Sequence, residues 1–157
     1  MENVEIERKF LVCSDEWRAL ATQSFAIRQG YLSLDPERTV RVRLKGNKGY
    51  LTIKGASDES GWSRFEWEKE ISADEAEQLL ALSLQGKIEK TRYIVPLSGQ
   101  EPLVVEVDVF EGEHKGLILA EIELPSRDMK IELPEWLGKE VTGDIHYYNA
   151  YLAKQTK

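Results

Sequence analysis

Along most of the chain, apolar and charged side chains alternate with a period of two, the pattern of strands that bury one face. Val4-Glu5-Ile6-Glu7-Arg8-Lys9-Phe10-Leu11-Val12 sets it: Val4, Ile6 and Phe10 point one way, Glu5, Glu7 and Lys9 the other. Phe25 to Leu34 follows, with Ile27, Gln29, Tyr31 and Ser33 on one face and a turn at Asp35-Pro36. In Thr39 to Lys45, Arg41, Arg43 and Lys45 alternate with Val40, Val42 and Leu44. The turn Gly46-Asn47-Lys48-Gly49 leads into Tyr50 to Lys54, where Thr52 and Lys54 oppose Leu51 and Ile53. Gly55 to Gly61 reads as a polar mobile loop, with Trp62 beside it at a possible entrance.

Four more strands continue the pattern. Ser63 to Ile71 sets Glu66, Glu68 and Glu70 against Phe65, Trp67 and Ile71, and Lys87 to Pro96 places Lys90 and Arg92 opposite Thr91, Tyr93 and Val95. Leu103 to Phe110 places Glu106 and Asp108 opposite Val105, Val107 and Val109, and Gly116 to Leu124 places Glu121 and Glu123 opposite Ala120, Ile122 and Leu124. Three helices interrupt them. Ser14 can cap a short one bearing Trp17, Leu20 and Ala21, and Ser72 with Glu75 makes a capping box before Ala76, Leu79 and Leu80. Thr142 or Asp144 can cap a last helix with Ile145, Tyr148 and Leu152, which packs on the barrel or partly closes one mouth.

The fold class is therefore mainly β (α+β): eight mostly antiparallel strands, enough to close a barrel. Its orientation has two solutions. Charges can coat the outside of a greasy barrel, the usual place for charge. Yet three amphipathic helices need apolar sheet surface to pack on, and outside such a barrel they find only charge. Turning the barrel inside out, with the charged face lining a wet lumen, resolves this. The cost is several kcal/mol per buried ion unless ions are paired or bound to something, roughly as for any ion taken out of water.

Length and composition narrow the chemistry. The 157 residues fit one domain, 41% hydrophobic content supports a core, and Cys13 is the single cysteine, which excludes a disulfide framework. A reducing cytoplasm is the expected location; no apolar run approaches a membrane span. A net charge of -7 argues against a nucleic-acid partner. Cys13 reads as a small core or strand-end residue, and His114 and His146 as solvated surface.

The inward face would gather Lys9, Arg41, Arg43, Lys54, Lys90 and Arg92 with Glu5, Glu7, Glu66, Glu68, Glu106, Asp108, Glu121 and Glu123. Clustered arginines and lysines suit a polyanion with several acceptor oxygens, phosphate chains first. Carboxylates beside them would repel that anion, which calls for divalent metal between the two. Oxygen ligands without convergent His or Cys favour Mg2+ or Mn2+.

Glu5-Ile6-Glu7-Arg8-Lys9 is an ExExK pattern. With Arg41-Val42-Arg43, Lys54, Glu66-Trp67-Glu68, Glu89-Lys90-Thr91-Arg92-Tyr93, Glu106-Val107-Asp108 and Glu121-Ile122-Glu123 in order, the chain resembles the CYTH superfamily of triphosphate tunnel metalloenzymes over nearly its whole length. Ile6 to Val12 and Arg28-Gln29-Gly30-Tyr31 look most like the small bacterial members that hydrolyse inorganic tripolyphosphate.

The resemblance implies one tunnel domain over 1–157, open at both ends, cutting tripolyphosphate to pyrophosphate and orthophosphate with Mg2+ or Mn2+. It implies metal ligation by Glu5, Glu7, Asp108, Glu121 and Glu123, with Asp108 either a ligand or a partner behind the ligands. Lys9, Arg41, Arg43, Lys54, Lys90 and Arg92 would grip phosphate, and Glu66, Glu68 and Glu106 would ligate or orient those cations. Lys90 and Tyr31 are a possible proton-handling pair, alongside Glu5 and Glu7 in the chemistry. Class IV adenylate cyclase, thiamine triphosphatase, nucleoside triphosphatase and a non-catalytic polyphosphate binder are the alternatives. The expected partner is a small-molecule triphosphate, with no nucleic acid or membrane, acting on a monomer or homodimer.

Overall fold

The computed structural model describes residues 4–59, 63–84 and 86–155, without the side chains of Val4, Glu5, Ala150, Lys154 and Gln155. Trp62 and the Glu5 carboxylate thus lie outside the described residues. Nine strands form a single antiparallel sheet among the described residues. They are β1 (Val4–Val12), β2 (Gln23–Ser33), β3 (Arg38–Lys45), β4 (Lys48–Ser57), β5 (Ser63–Ile71), β6 (Ile88–Pro96), β7 (Val104–Phe110), β8 (Ile118–Glu123) and β9 (Leu137–Glu140). Their order is β5-β4-β3-β2-β6-β7-β8-β1-β9, and β1 also pairs with β5, which closes eight of them into a barrel.

The seam is built by β1 alone. Val4, Glu5 and Ile6 pair with Phe65, Arg64 and Ser63 of β5. Glu7 to Leu11 pair with Glu123 back to Leu119 of β8, and Phe10 and Val12 pair with β9. The ninth strand was not expected from the sequence. Leu-Gly-Lys-Glu carries no alternation to detect and is held by its partner: Arg8 Nε donates to Glu140 Oε2 at 3.0 Å, and Thr142 Oγ1 accepts from the Lys9 N–H at 2.9 Å.

The barrel is turned with its charge inward. On its outer face, Val95, Val105, Val107, Ala120 and Ile122 are buried against Trp17 of α1 (Trp17–Leu20) and against Trp136 and Leu137. Each valine or isoleucine among them contributes roughly 1.5–3 kcal/mol of burial. On the opposite side, α2 (Ala73–Ala81) lays Ala76 and Leu80 on Val42. Gly49 permits that approach, since a Cβ there would stand 2.7 Å from the Ala76 Cβ. The capping box forms as expected: the Ser72 hydroxyl accepts from the Glu75 N–H and the Glu75 carboxylate from the Ser72 N–H, both at 3.0 Å.

The C-terminal segment takes the second of its two expected positions. Asp144 caps a 3-10 turn over Ile145–Tyr147, and α3 (Asn149–Gln155) follows. Leu152 and Ala153 pack on Tyr31, Ile88, Phe110 and Leu119, which share the inward face with Gln29, Lys90, Asp108 and Glu121. The helix therefore partly closes one mouth, whereas α1 and α2 pack outside. His114, expected at the solvated surface, helps hold it there: its Nε2 lies 2.9 Å from the Leu152 carbonyl. Gly86 makes room on the other side. It has φ 103°, and a Cβ would meet the Ala153 oxygen at 1.9 Å.

Candidate functional site

Inside the barrel lies a cavity of about 190 Å3 whose walls include Glu7, Lys9, Tyr31, Arg41, Arg43, Lys54, Glu66, Glu68, Arg92, Glu106, Glu121 and Glu123. Period-two alternation on β1 through β8 delivers these side chains to one place although they are scattered over the sequence. Lys90 and Asp108 are buried in the wall at 2% and 2% exposure, among the most enclosed charges of the chain.

Most of the cations are held in place by acids on nearby strands. Arg92 Nε donates to Asp108 Oδ1 at 2.7 Å and Nη2 to Oδ2 at 2.9 Å, while Nη1 reaches Glu106 at 3.4 Å. Lys90 Nζ lies 2.7 Å from Asp108 Oδ2 and donates to Asn149 Oδ1 at 3.0 Å. Lys9 Nζ is 3.5 Å from Glu121 and donates to the Tyr147 carbonyl at 3.1 Å. Glu66 stands 3.9 Å from Lys54, and Glu68 stands 4.0 Å from Arg41. The Thr52 hydroxyl joins the last pair, donating to Glu68 at 2.7 Å and accepting from Arg41 at 3.4 Å. Arg43 Nε donates to Gln29 Oε1 at 3.0 Å.

Gln29, Thr52, Tyr148 and Asn149 were not singled out as site residues from sequence. The first two sit on inward positions of recognised strands, so their parity was the available signal. Tyr148 and Asn149 come from the C-terminal segment, where no strand alternation marks a direction.

Burial and neighbouring charge divide the basic groups by protonation. Burial pushes the Lys90 ammonium down to about 7; Asp108 opposes this, and Arg92 and Arg43 add to it. Burial likewise lowers Arg43 to about 9, reinforced by the like charges of Arg41 and Arg92. For Lys9 the burial penalty is outweighed by Glu121 and Glu7, so its basicity rises and it stays charged. Burial would raise Asp108, but Arg92 and Lys90 hold it well below the usual carboxylate range. Lys9 and Arg92 do the same for Glu121, again against burial. Along the β2–β3 wall, Gln29 Nε2 and Arg41 Nε are buried without hydrogen-bond partners, a cost that protein interiors normally avoid.

The acidic side has the chemistry for a hard cation. Glu123 is the cross-strand partner of Glu7, and Glu121 lines the same cavity two residues along β8. Two acids brought together are relieved by a divalent ion between them. Among the described residues no three acidic, His or Cys side chains already form a metal-holding group. The Glu5 carboxylate lies outside that set. An all-oxygen donor set of Glu7, Glu121 and Glu123 fits Mg2+ or Mn2+ in kind.

A closed antiparallel barrel with helices outside and an ionic chamber within defines a tunnel protein built to receive a multiply charged anion. The chain belongs to the CYTH domain family, whose match spans residues 3–154, and family membership implies a divalent-metal requirement. It is 46% identical over 151 residues to an inorganic triphosphatase of Acetivibrio thermocellus, covering 96% of this chain and 93% of that protein. It is 38% identical over 154 residues to an inorganic triphosphatase of Nitrosomonas europaea, covering 95% and 96%. A crystal structure of an inorganic triphosphatase superposes with a TM-score of 0.62 at 33% identity, covering 95% of this chain and 93% of the other.

Proposed function

We propose that this chain hydrolyses inorganic tripolyphosphate to pyrophosphate and orthophosphate. The observation that carries the reading is the convergence of Lys9, Arg41, Arg43, Lys54 and Arg92 with Glu7, Glu121 and Glu123 on one enclosed chamber. The relatives named as inorganic triphosphatases support it.

In this reading Arg41, Arg43, Lys54, Lys9 and Arg92 bind the phosphoryl oxygens, and their charge matches what develops as the bridging P–O bond breaks. Water adds to the terminal phosphorus, and pyrophosphate leaves with the bond's electron pair. Glu66, Glu68 and Glu106 keep Lys54, Arg41 and Arg92 aimed inward rather than touching substrate. Asp108 serves Arg92 and Lys90 in the same way, since both its oxygens already accept from them. Glu5, Glu7, Glu121 and Glu123 would hold Mg2+ or Mn2+. When bound, that cation supplies charge neutralisation and a more acidic water. Lys90, lowered to about 7, can exchange a proton near neutral pH, and Tyr31 on the same inward face is its proposed partner.

Phosphate release from tripolyphosphate with Mg2+ or Mn2+, with Glu7→Ala as control, tests the reading. Turnover that depends on Glu7 and on metal supports it. Tight tripolyphosphate binding with no turnover would make the chain a binding protein instead.

A second reading has its own observation. An apolar cavity of about 490 Å3 adjoins the chamber, sharing Thr39, Arg64 and Tyr148 with it, and is walled by Leu34, Pro36, Ile145 and Tyr151. Its size suits an organic group on a triphosphate. Comparing ATP with tripolyphosphate in the same assay decides between them, and cyclic AMP among the products would point to cyclisation.

A further inference from the structure

The C-terminal helix does more than narrow the mouth, because its first residue enters the chamber. Asn149 is one of the residues lining the phosphate cavity. Lys90 Nζ donates to its Oδ1 at 3.0 Å and lies 2.7 Å from Asp108, so the ammonium is fixed between one group from β7 and one from α3. An ammonium only donates, so the amide must turn its oxygen to Lys90. The NH2 end is left with two hydrogens and makes no hydrogen bond within the described protein. A donor pair at the edge of an anion chamber, on a side chain already locked at its other end, is preorganised for an acceptor oxygen.

We propose that Asn149 is a residue of the phosphate site: its Oδ1 positions the Lys90 ammonium while its Nδ2 hydrogens bind a phosphoryl oxygen of the substrate. The inference rests on the reading of the chamber as a triphosphate site. It adds that the barrel without α3 is an incomplete site, since one polar contact to substrate and one to Lys90 come from the C-terminal segment. Asparagine suits both duties because it carries an acceptor and a donor on one short, uncharged group. Leucine would supply neither, and aspartate would keep the acceptor while turning an anionic oxygen toward the substrate.

The test uses the full chain with three substitutions. Asn149→Ala removes both contacts, Asn149→Asp keeps the Lys90 contact and replaces the donor by a charge, and His114→Ala removes a hydrogen bond that reaches α3 elsewhere, at the Leu152 carbonyl. Tripolyphosphate hydrolysis with Mn2+ gives kcat and KM separately, and calorimetric titration with tripolyphosphate gives affinity. The expected result is an about 10- to 100-fold loss of kcat/KM in Asn149→Ala. Asn149→Asp should show its loss mainly in KM and in affinity, with kcat retained far better than in the alanine variant, and His114→Ala should stay within about twofold of wild type on both. A loss in His114→Ala equal to that in Asn149→Ala would make the residue an anchor of the helix and overturn the proposal. Unchanged KM and affinity in Asn149→Asp would overturn it as well. Should the wild-type chain bind tripolyphosphate without cleaving it, the hydrolytic reading fails alone, and the affinities of the two Asn149 variants still decide the proposal.

Discussion

Arg92 and Asp108 are cross-strand partners on β6 and β7, and the guanidinium grips the carboxylate through both of its oxygens, at 2.7 and 2.9 Å. Lys90, two residues along β6, shares the same carboxylate. One acid thus sets the position of two lumen cations. Removing its charge leaves Arg92 and Lys90 close together in a buried wall with their common counterion gone. Asp108→Asn should therefore lower unfolding free energy by about 3 kcal/mol, as for a broken buried pair, read as a fall in denaturant midpoint. Tripolyphosphate turnover should fall with it, because Arg92 would lose its direction. A midpoint within error of wild type would contradict the role assigned to Asp108.

The clasp between β1 and β9 gives a prediction about acid. The Arg8 side-chain hydrogen bond holds the Glu140 carboxyl below the usual carboxylate range; partial burial opposes it, and Thr142 and the Arg8 charge assist. A depressed folded value means that this stabilisation is present above the unfolded pKa of about 4.3 and is lost as pH falls through the folded value. Glu140→Gln should lower Tm at pH 7 by a few degrees, corresponding to about 1 kcal/mol for a solvent-screened pair. The gap between the two melting curves should close as pH falls through the folded value of Glu140. A gap that persists unchanged in acid would assign the effect to packing rather than to the ion pair.

Lys90 predicts a slope of the same sign in the alkaline range. Burial lowers its folded pKa to about 7, against about 10.4 for an unfolded lysine, so across that interval the unfolded chain binds more protons at this site. Stability contributed by this group therefore rises with pH from about 7 to 10, with a slope up to about 1.4 kcal/mol per pH unit. Lys90→Met should flatten the curve of unfolding free energy between pH 7.5 and 9.5, measured in metal-free buffer by chemical denaturation. Parallel curves for the two proteins would show that Lys90 is charged throughout.

How far the sequence alone reaches follows from where the alternation is unambiguous. Arg41 and Arg43 flank Val42, and the presence of α2 over Val42 forces both arginines inward. The same reasoning places Lys90, Arg92, Glu106, Asp108 and Glu121 without any coordinate. It fails where no strand period exists. Leu137–Glu140 forms a strand because the upper half of β1 offers it a free edge, which is a tertiary cause. His114 looked like surface because its partner, the Leu152 carbonyl, lies 38 residues away and on no recognisable motif. Asn149 was missed for the same reason: its contact with Lys90 depends on α3 entering the barrel mouth, which neither residue's neighbours reveal. Residue types predicted the lumen, but which segment plugs its end depends on fit between Leu152, Ala153 and the apolar end of the inward face.

Arg43 separates stability from activity most sharply. Burial and the like charges of Arg41 and Arg92 lower it to about 9, so its surroundings strain its charge, and within the protein its guanidinium donates to a neutral amide, Gln29. Replacing it by an apolar residue removes that strain. Arg43→Met should leave the ligand-free protein as stable as wild type or more so, by about 1 kcal/mol. The same change should cost about 3 kcal/mol of transition-state stabilisation, a loss of about a hundredfold in kcat/KM for tripolyphosphate. Ligand binding gives an independent measure, since whatever binds only the folded state raises Tm by mass action. Tripolyphosphate with Mg2+ or Mn2+ should raise the Tm of the wild type clearly and that of Arg43→Met much less, and a chelator should reduce the wild-type increment. A variant that is destabilised without ligand yet keeps the full increment would place Arg43 in the framework of the barrel and outside the anion's grip.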